Sequence, residues 1–329
     1  MDWWLVEKFR KARNLASIID RRPVGLHPPP MTFMRSLARP LAIGLFAIFS
    51  IASCGGNPPP PVRNQSAAGN SEPVRIATIP RNAPPAVAAE SVLVVDIASG
   101  RNLYAKNADS VRPVASTQKI LTGLCILDAG NIDSFVTITA DDTNCEPTKL
   151  YLKPGERYTR RELLRILMVK SANDVARALA RDIGGSQEGF AALMNRKAAS
   201  LGMRNSNFVN PNGLPAPGQY SSARDMTLAA RVAYRSPLLR SYFATKSFTF
   251  RYNDGRTRTI ENTNRLLKRV PYCDGMKTGT TNAAGRCLIS TGSLNGRAVV
   301  VTVLKSNSPN IWSDSEKLMR WALERPDAN

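Results

Sequence analysis

Three short motifs follow one another along the chain: Ser116-Thr-Gln-Lys119, Ser171-Ala-Asn173 and Lys277-Thr-Gly279. The first and last occur once, whereas Ser-x-Asn recurs at Ser293-Leu-Asn295 and Ser308-Pro-Asn310. A serine and a lysine three apart at a helix start share one face, so the amine can take the hydroxyl proton. An ammonium cannot be a base, so Lys119 must lose its charge. Burial and a second cation nearby, Lys277, would both lower its pKa, and the two amines would titrate as a coupled pair. Ser171 can relay a proton to a leaving amine, while Asn173 can orient the acyl side of a substrate. Singly these tripeptides are weak; their order, separation and context make them a set.

The chain holds one histidine, His27, among prolines near its start. That excludes Ser-His-Asp hydrolysis, Cys-His proteolysis and His-ligated zinc from the folded body. A lysine base is the route to an activated serine that remains.

The elements that must carry these residues can be read from periodicity. Ser91–Ile97 reads as a buried strand, and Ser99-Gly100 turns into a second near Leu103 and Tyr104. A helical run spans Ser116 to Ala129. Thr159-Arg-Arg-Glu162 is a capping box ahead of Leu163, Leu164, Ile166, Leu167 and Met168, which starts a helix. Further helices are expected over 173–183, 187–201 (closed by Gly202) and 222–235. Hairpins follow, one around Asp254-Gly255 and one around Asn295-Gly296, then a last helix over 312–324. Strands, helices, strands and a closing helix give an α+β fold, an antiparallel sheet with terminal helices and a mostly helical insertion.

The 329 residues allow about two domain-sized units, and 43% hydrophobic residues suit a soluble core. Of the net +20, residues 1–53 carry +5 (eight Lys/Arg, three acids) and leave +15. That balance fits either a diffuse solvated surface or an anionic partner; no zinc-knuckle or aromatic-and-basic RNA motif accompanies it, so no nucleic-acid role is expected.

Met34-Arg-Ser-Leu-Ala-Arg39 is a short positive region ahead of an apolar run over Leu41–Ser53, too short to span a bilayer comfortably but right for a secretory signal. The run ends in Ile51-Ala52-Ser53-Cys54, which resembles the bacterial lipoprotein processing motif. That resemblance implies cleavage before Cys54, lipid on its thiol and, with Gly55 following, an outer-membrane, periplasm-facing location. Residues 54–90, with Pro58–Pro61, Pro73, Pro80, Pro84 and Pro85, form a linker without a core. The domain scheme is therefore 1–53 extension and signal, 54–90 linker, 91–329 catalytic domain. Cys125, Cys145, Cys273 and Cys287 allow two disulfides in three pairings or simply small core residues, and none has metal-ligand spacing.

The motif set resembles that of the low-molecular-mass penicillin-binding proteins, the D-alanyl-D-alanine carboxypeptidase family. The resemblance runs from about Ser91 to Leu304 through Pro113–Lys119, Leu152-Lys-Pro-Gly155, Lys170–Asp174, Gly218–Asp225, Asn262–Leu267 and Asp274–Gly279. It implies a β-lactamase/transpeptidase-like fold and a cofactor-free serine carboxypeptidase that removes the terminal D-alanine from peptidoglycan stem peptides. Ser116 would be the acylated nucleophile and Lys119 its base, with β-lactams as covalent inhibitors. Ser171 and Asn173 would line the helical side, with Lys277, Thr278 and Gly279 on the strand opposite. Thr278 and Lys277 would hold the terminal carboxylate, and the N–H groups of Ser116 and Thr280 the oxyanion. Arg265 is either a further carboxylate ligand or a surface ion-pair partner. Such enzymes often add a β-rich domain and an amphipathic helix; about 50 residues after Lys277 leave room for neither, so the lipid at Cys54 is expected to supply attachment.

Three other readings compete. A class A β-lactamase needs a carboxylate after Ser-x-Asn, yet Gly189–Arg224 contains no acid and Glu146 precedes the motif. A DD-endopeptidase shares the nucleophilic machinery. A non-catalytic wall-binding lipoprotein would have no need of an amine base.

Overall fold

The computed structural model describes residues 83–324, and β-strands and helices are numbered within that span. His27, the signal segment, Cys54 and the linker up to residue 82 lie outside the described residues. The end of the linker packs on the domain: the N–H groups of Ala88 and Ala89 both donate to Asp314 Oδ2 at 3.0 Å, and Ala89 is buried.

A five-stranded antiparallel sheet has the order β2-β1-β9-β8-β7, formed by β1 (Ser91–Asp96), β2 (Asn102–Lys106), β7 (Cys273–Thr281), β8 (Gly285–Leu294) and β9 (Arg297–Ser306). The near-continuous apolar runs of β1 and β9 follow from burial on both faces. Leu93, Val95 and Val300 point to one apolar cluster; Val92, Val94, Val299, Val301 and Val303 point to the other. The second cluster is closed by α9 (Asn310–Glu324) through Ile311, Leu318, Met319 and Leu323. β8 and β9 turn at Asn295 and Gly296, both at positive φ (51° and 75°), the geometry that Asn-Gly favours.

The other face is covered by helices: α1 (Lys119–Asp128), α3 (Arg160–Lys170), α4 (Asn173–Gly184), α5 (Gln187–Ser200), α6 (Ala223–Tyr234) and α7 (Pro237–Ala244), with the four-residue α2 (Ala140–Thr143), whereas the four-residue α8 (Leu266–Arg269) sends Leu266 and Leu267 into the second cluster beside α9. The capping box at Thr159 is formed in both directions, and Gly202, at φ 75°, follows α5 as expected. Two small two-stranded antiparallel sheets, β3 (Phe135–Thr137) with β4 (Arg157–Thr159) and the hairpin β5 (Ser247–Arg251) with β6 (Thr257–Glu261), attach to the helical part. The β3/β4 pair, α7 and β7 were not expected from periodicity. Three-residue strands give too short a pattern to read, and β7 mixes glycine, lysine and threonine where alternation would be looked for. The helix expected from Ser116 begins at Lys119, because Ala115–Gln118 form a 3-10 turn.

Candidate active site

Ser116 owes its position to an irregular backbone. Ala115 sits at φ 49°, the Thr117 hydroxyl caps back onto Val114 O at 2.6 Å, and the turn then feeds α1. In a 3-10 turn residues i and i+3 eclipse, which aligns Ser116 with Lys119. Lys119 is fully buried, and its Nζ lies 2.9 Å from Ser116 Oγ, 2.7 Å from Asn173 Oδ1 and 2.8 Å from Asn212 O. Ser116 Oγ also reaches Asn212 O at 3.1 Å.

Burial drives the Lys119 pKa well below the usual lysine value, and the neighbouring Lys277 charge lowers it further. Lys277, equally buried, is pushed down to about 7 by burial, its Nζ donating to Thr278 O at 3.0 Å. A neutral amine has two hydrogens and one lone pair. As an ammonium Lys119 can donate to all three oxygens; as a neutral amine that donates to Asn173 Oδ1 and Asn212 O, it has its lone pair left for the Ser116 hydroxyl, which also has Asn212 O within reach. The arrangement can accept a proton from that serine.

Ser171 and Asn173 occupy the junction between α3 and α4. Ser171 caps α3 in the left-handed region (φ 67°), which turns the chain so that Asn173 opens α4. Its Oγ is buried with no hydrogen-bond partner. Asn173 is anchored by its N–H to Thr148 O (2.7 Å) and its Nδ2 to Glu146 O (3.3 Å). The next residue, Asp174, is buried and accepts from the N–H groups of Leu150 and Tyr151 at 2.9–3.0 Å, which pins the loop over Asn173.

Strand β7 supplies the opposite wall. A Cβ on Gly279 would lie 2.8 Å from Ser116 N and 2.9 Å from Thr117 N, so only glycine lets the strand run this close to the Ser116 turn. Thr278 Oγ1 donates to Thr263 Oγ1 at 2.7 Å. Between the walls opens a cleft of about 750 Å³, lined by Ser116, Ser171, Thr263, Thr278, Gly279 and Thr280 among others. Its rim carries Lys170, Lys246, Arg265, Lys268, Arg269 and Arg286 against one acid, Glu261, which Lys268 holds at 3.1 Å. The cleft therefore attracts carboxylates. Arg265 stacks over Trp312, 5.6 Å from its ring centre, on the cleft wall.

All eight site residues proposed within the described span thus meet in one place: Ser116, Ser171, Thr278, Gly279 and Thr280 on the cleft surface, and Lys119, Asn173 and Lys277 beneath it. Neither of the other two Ser-x-Asn matches contributes to the cleft lining. The four described cysteines are free thiols. Burial raises Cys125 to about 12 and Cys145, Cys273 and Cys287 to about 11, so they are thiols rather than thiolates, and the two-disulfide option is not realised. Thr263 and Asn212 were missed. Thr263 lay inside a motif already noted, without a role; Asn212 acts through its backbone carbonyl, which leaves no side-chain signature.

Residues 78–308 match the family model described as D-alanyl-D-alanine carboxypeptidase. D-alanyl-D-alanine carboxypeptidase DacB2 of Mycobacterium tuberculosis is 35% identical over 241 residues, 71% of this chain and 82% of that protein. DacF of Bacillus subtilis, also a D-alanyl-D-alanine carboxypeptidase, is 34% identical over 67% of this chain but only 58% of its own greater length. The crystal structure of a D-alanyl-D-alanine carboxypeptidase from M. tuberculosis H37Rv superposes with a TM-score of 0.72 at 32% identity, covering 77% of this chain and 96% of that one.

Proposed function

The chain belongs to the D-alanyl-D-alanine carboxypeptidase family of serine hydrolases, with the penicillin-binding-protein fold, and from that premise we propose how its residues divide the reaction and where the enzyme works. The observation that carries the assignment of roles is the buried Lys119 amine, 2.9 Å from Ser116 Oγ with two other acceptors for its hydrogens.

The carboxylate of the terminal D-alanine is received by Thr278, whose hydroxyl Thr263 fixes, and the Lys277 ammonium beneath the cleft surface helps hold it by its charge. Ser116 Oγ attacks the carbonyl of the penultimate D-alanine as its proton moves to Lys119 Nζ. The oxyanion is received by the N–H groups of Ser116 and Thr280, and Asn173 aligns the acyl side. The C–N bond then breaks, and the leaving amine takes a proton delivered from Lys119 through the unpartnered Ser171 hydroxyl. Water hydrolyses the Ser116 ester, returning the proton through Lys119. The one acid on the cleft lining, Glu261, is tied to Lys268. This supports slow release of β-lactams, because fast hydrolysis of the acyl-enzyme needs a free carboxylate to activate water.

The test pairs two measurements. Mass spectrometry of products from free pentapeptide stems should show loss of one D-alanine, whereas cleavage confined to cross-linked dimers would make the enzyme an endopeptidase. Fluorescent penicillin should label the wild-type protein and not Ser116→Ala; labelling that survives that change would refute the nucleophile.

The lipidation reading rests on the sequence around Ile51–Cys54 and on the proline-rich stretch after it. Cleavage before Cys54 and acylation of its thiol would tether the domain on the periplasmic side of the envelope, favouring the outer membrane. Processing and detergent partitioning unchanged by Cys54→Ala would refute it.

A further inference from the structure

The loop 209–214 presents the Asn212 carbonyl to both Ser116 Oγ (3.1 Å) and Lys119 Nζ (2.8 Å). A backbone carbonyl can only orient a catalytic amine if its own loop is held, and this loop contains no helix or strand residue. Four side chains hold it, one of them Thr122, whose hydroxyl donates to Pro211 O at 2.7 Å. Gln219 Oε1 accepts from the N–H groups of Val209 and Asn210, each at 3.1 Å, and Gln219 Nε2 donates to Leu214 O at 2.7 Å. One amide thus ties the start of the loop to its end, on either side of Asn212. Inside that ring, Asn210 Oδ1 accepts from Gly213 N at 2.8 Å. Gln118, the residue before Lys119, joins the loop to the nucleophile turn through Asn210 O (2.5 Å) and reaches Gln219 Oε1 at 3.4 Å. Gly213, at φ 83° and with Ala115 backbone in the way of any Cβ, keeps the loop against that turn.

We propose that Gln219 is a positioning residue for the acylation step: its carboxamide clamps the 209–214 loop so that the Asn212 carbonyl takes one hydrogen of the Lys119 amine and leaves the lone pair on Ser116. It touches neither substrate nor the reacting atoms and acts only through Asn212. The inference rests on the assignment of Ser116 and Lys119 made above.

With the clamp cut, the loop keeps the Thr122 bond to Pro211 O and the Asn210 bonds to Gly213 and Leu214, but the Asn212 carbonyl is held less firmly on the amine. The plateau rate of acylation falls because fewer amines present the lone pair correctly. The acid limb of the pH profile moves to lower pH, because the carbonyl favoured the ammonium over the free amine and that support is weakened. A purely structural role would reduce the amount of active enzyme and leave the limb where it was.

The experiment measures the rate of acylation by fluorescent penicillin from pH 5 to 9, normalised to titratable active sites, for wild type, Gln219→Ala and Gln219→Glu. Gln219→Ala is expected to lower the plateau about ten- to hundredfold and shift the limb acidward. Gln219→Glu keeps the acceptor for Val209 and Asn210 but not the donor to Leu214, and should fall between. A wild-type plateau and limb in Gln219→Ala, or in Gln219→Glu if the alanine variant does not fold, would overturn the clamp. Failure of the wild-type protein to be labelled would instead overturn the nucleophile assignment.

Discussion

Replacing Lys277 with methionine should make this protein more stable while abolishing its activity. Lys277 is fully buried, and burial brings its pKa from 10.5 to about 7. At 1.36 kcal/mol per pH unit, that drop costs the native state at most about 5 kcal/mol. The sign follows from proton counts. Between pH 7 and 10.5 the unfolded chain carries a proton on this amine that the folded chain lacks, so this group makes stability rise with pH across that window. Below pH 7 the cost is full and constant. Methionine fills a similar volume without the charge, but forfeits the bond to Thr278 O, worth about 1 kcal/mol. Lys277→Met should therefore be about 4 kcal/mol more stable than wild type near pH 6.5, and the gap should close to nearly zero at pH 9.5. Urea unfolding at those two pH values, with unchanged m-values, measures the difference directly. Penicillin acylation should be lost in the same variant at both. An equal gap at the two pH values, or a variant less stable than wild type at pH 6.5, would refute the account of Lys277 as a buried amine held at a cost for function.

Three further outcomes follow from the same geometry. Acylation should have a bell-shaped pH profile, rising as Lys119 loses its proton and falling above about 7 as Lys277 loses its own, with apparent values that belong to the pair; stopped-flow labelling reads both limbs. Gly279→Ala places a Cβ 2.8 Å from Ser116 N and should slow acylation by about a hundredfold, measured as a second-order rate with fluorescent penicillin. Asp174→Asn removes the charge that holds the N–H groups of Leu150 and Tyr151 and should cost roughly 2–3 kcal/mol in urea unfolding, with an activity loss from the freed Asn173.

Much of the fold could be read in one dimension because its signals are local. The Thr159/Glu162 capping box, the Asn295-Gly296 turn and the buried run of β1 each depend on residues a few positions apart, and each formed where expected. The β3/β4 pair and β7 were less legible: a strand of three residues has no period, and β7 is shaped by its approach to the nucleophile turn rather than by alternation. The helix start at Lys119 instead of Ser116 reflects the Ala115 backbone, which is fixed by contact with Gly213, nearly a hundred residues on.

By itself, the sequence pointed to the chemistry. One histidine, placed before the folded body, left lysine as the candidate base for a serine, and residue types at i and i+3 are enough to pair them because a helical turn is a local object. Only the tertiary structure supplies the surroundings that the proposed pair needs. A lysine becomes a base when it is dry, when another cation is near and when its two hydrogens are occupied. Burial brings together chain segments far apart in sequence to meet those conditions: Lys277 from the sheet, Asn173 from a helix start, and the carbonyl of Asn212 from a loop that no side-chain pattern marks.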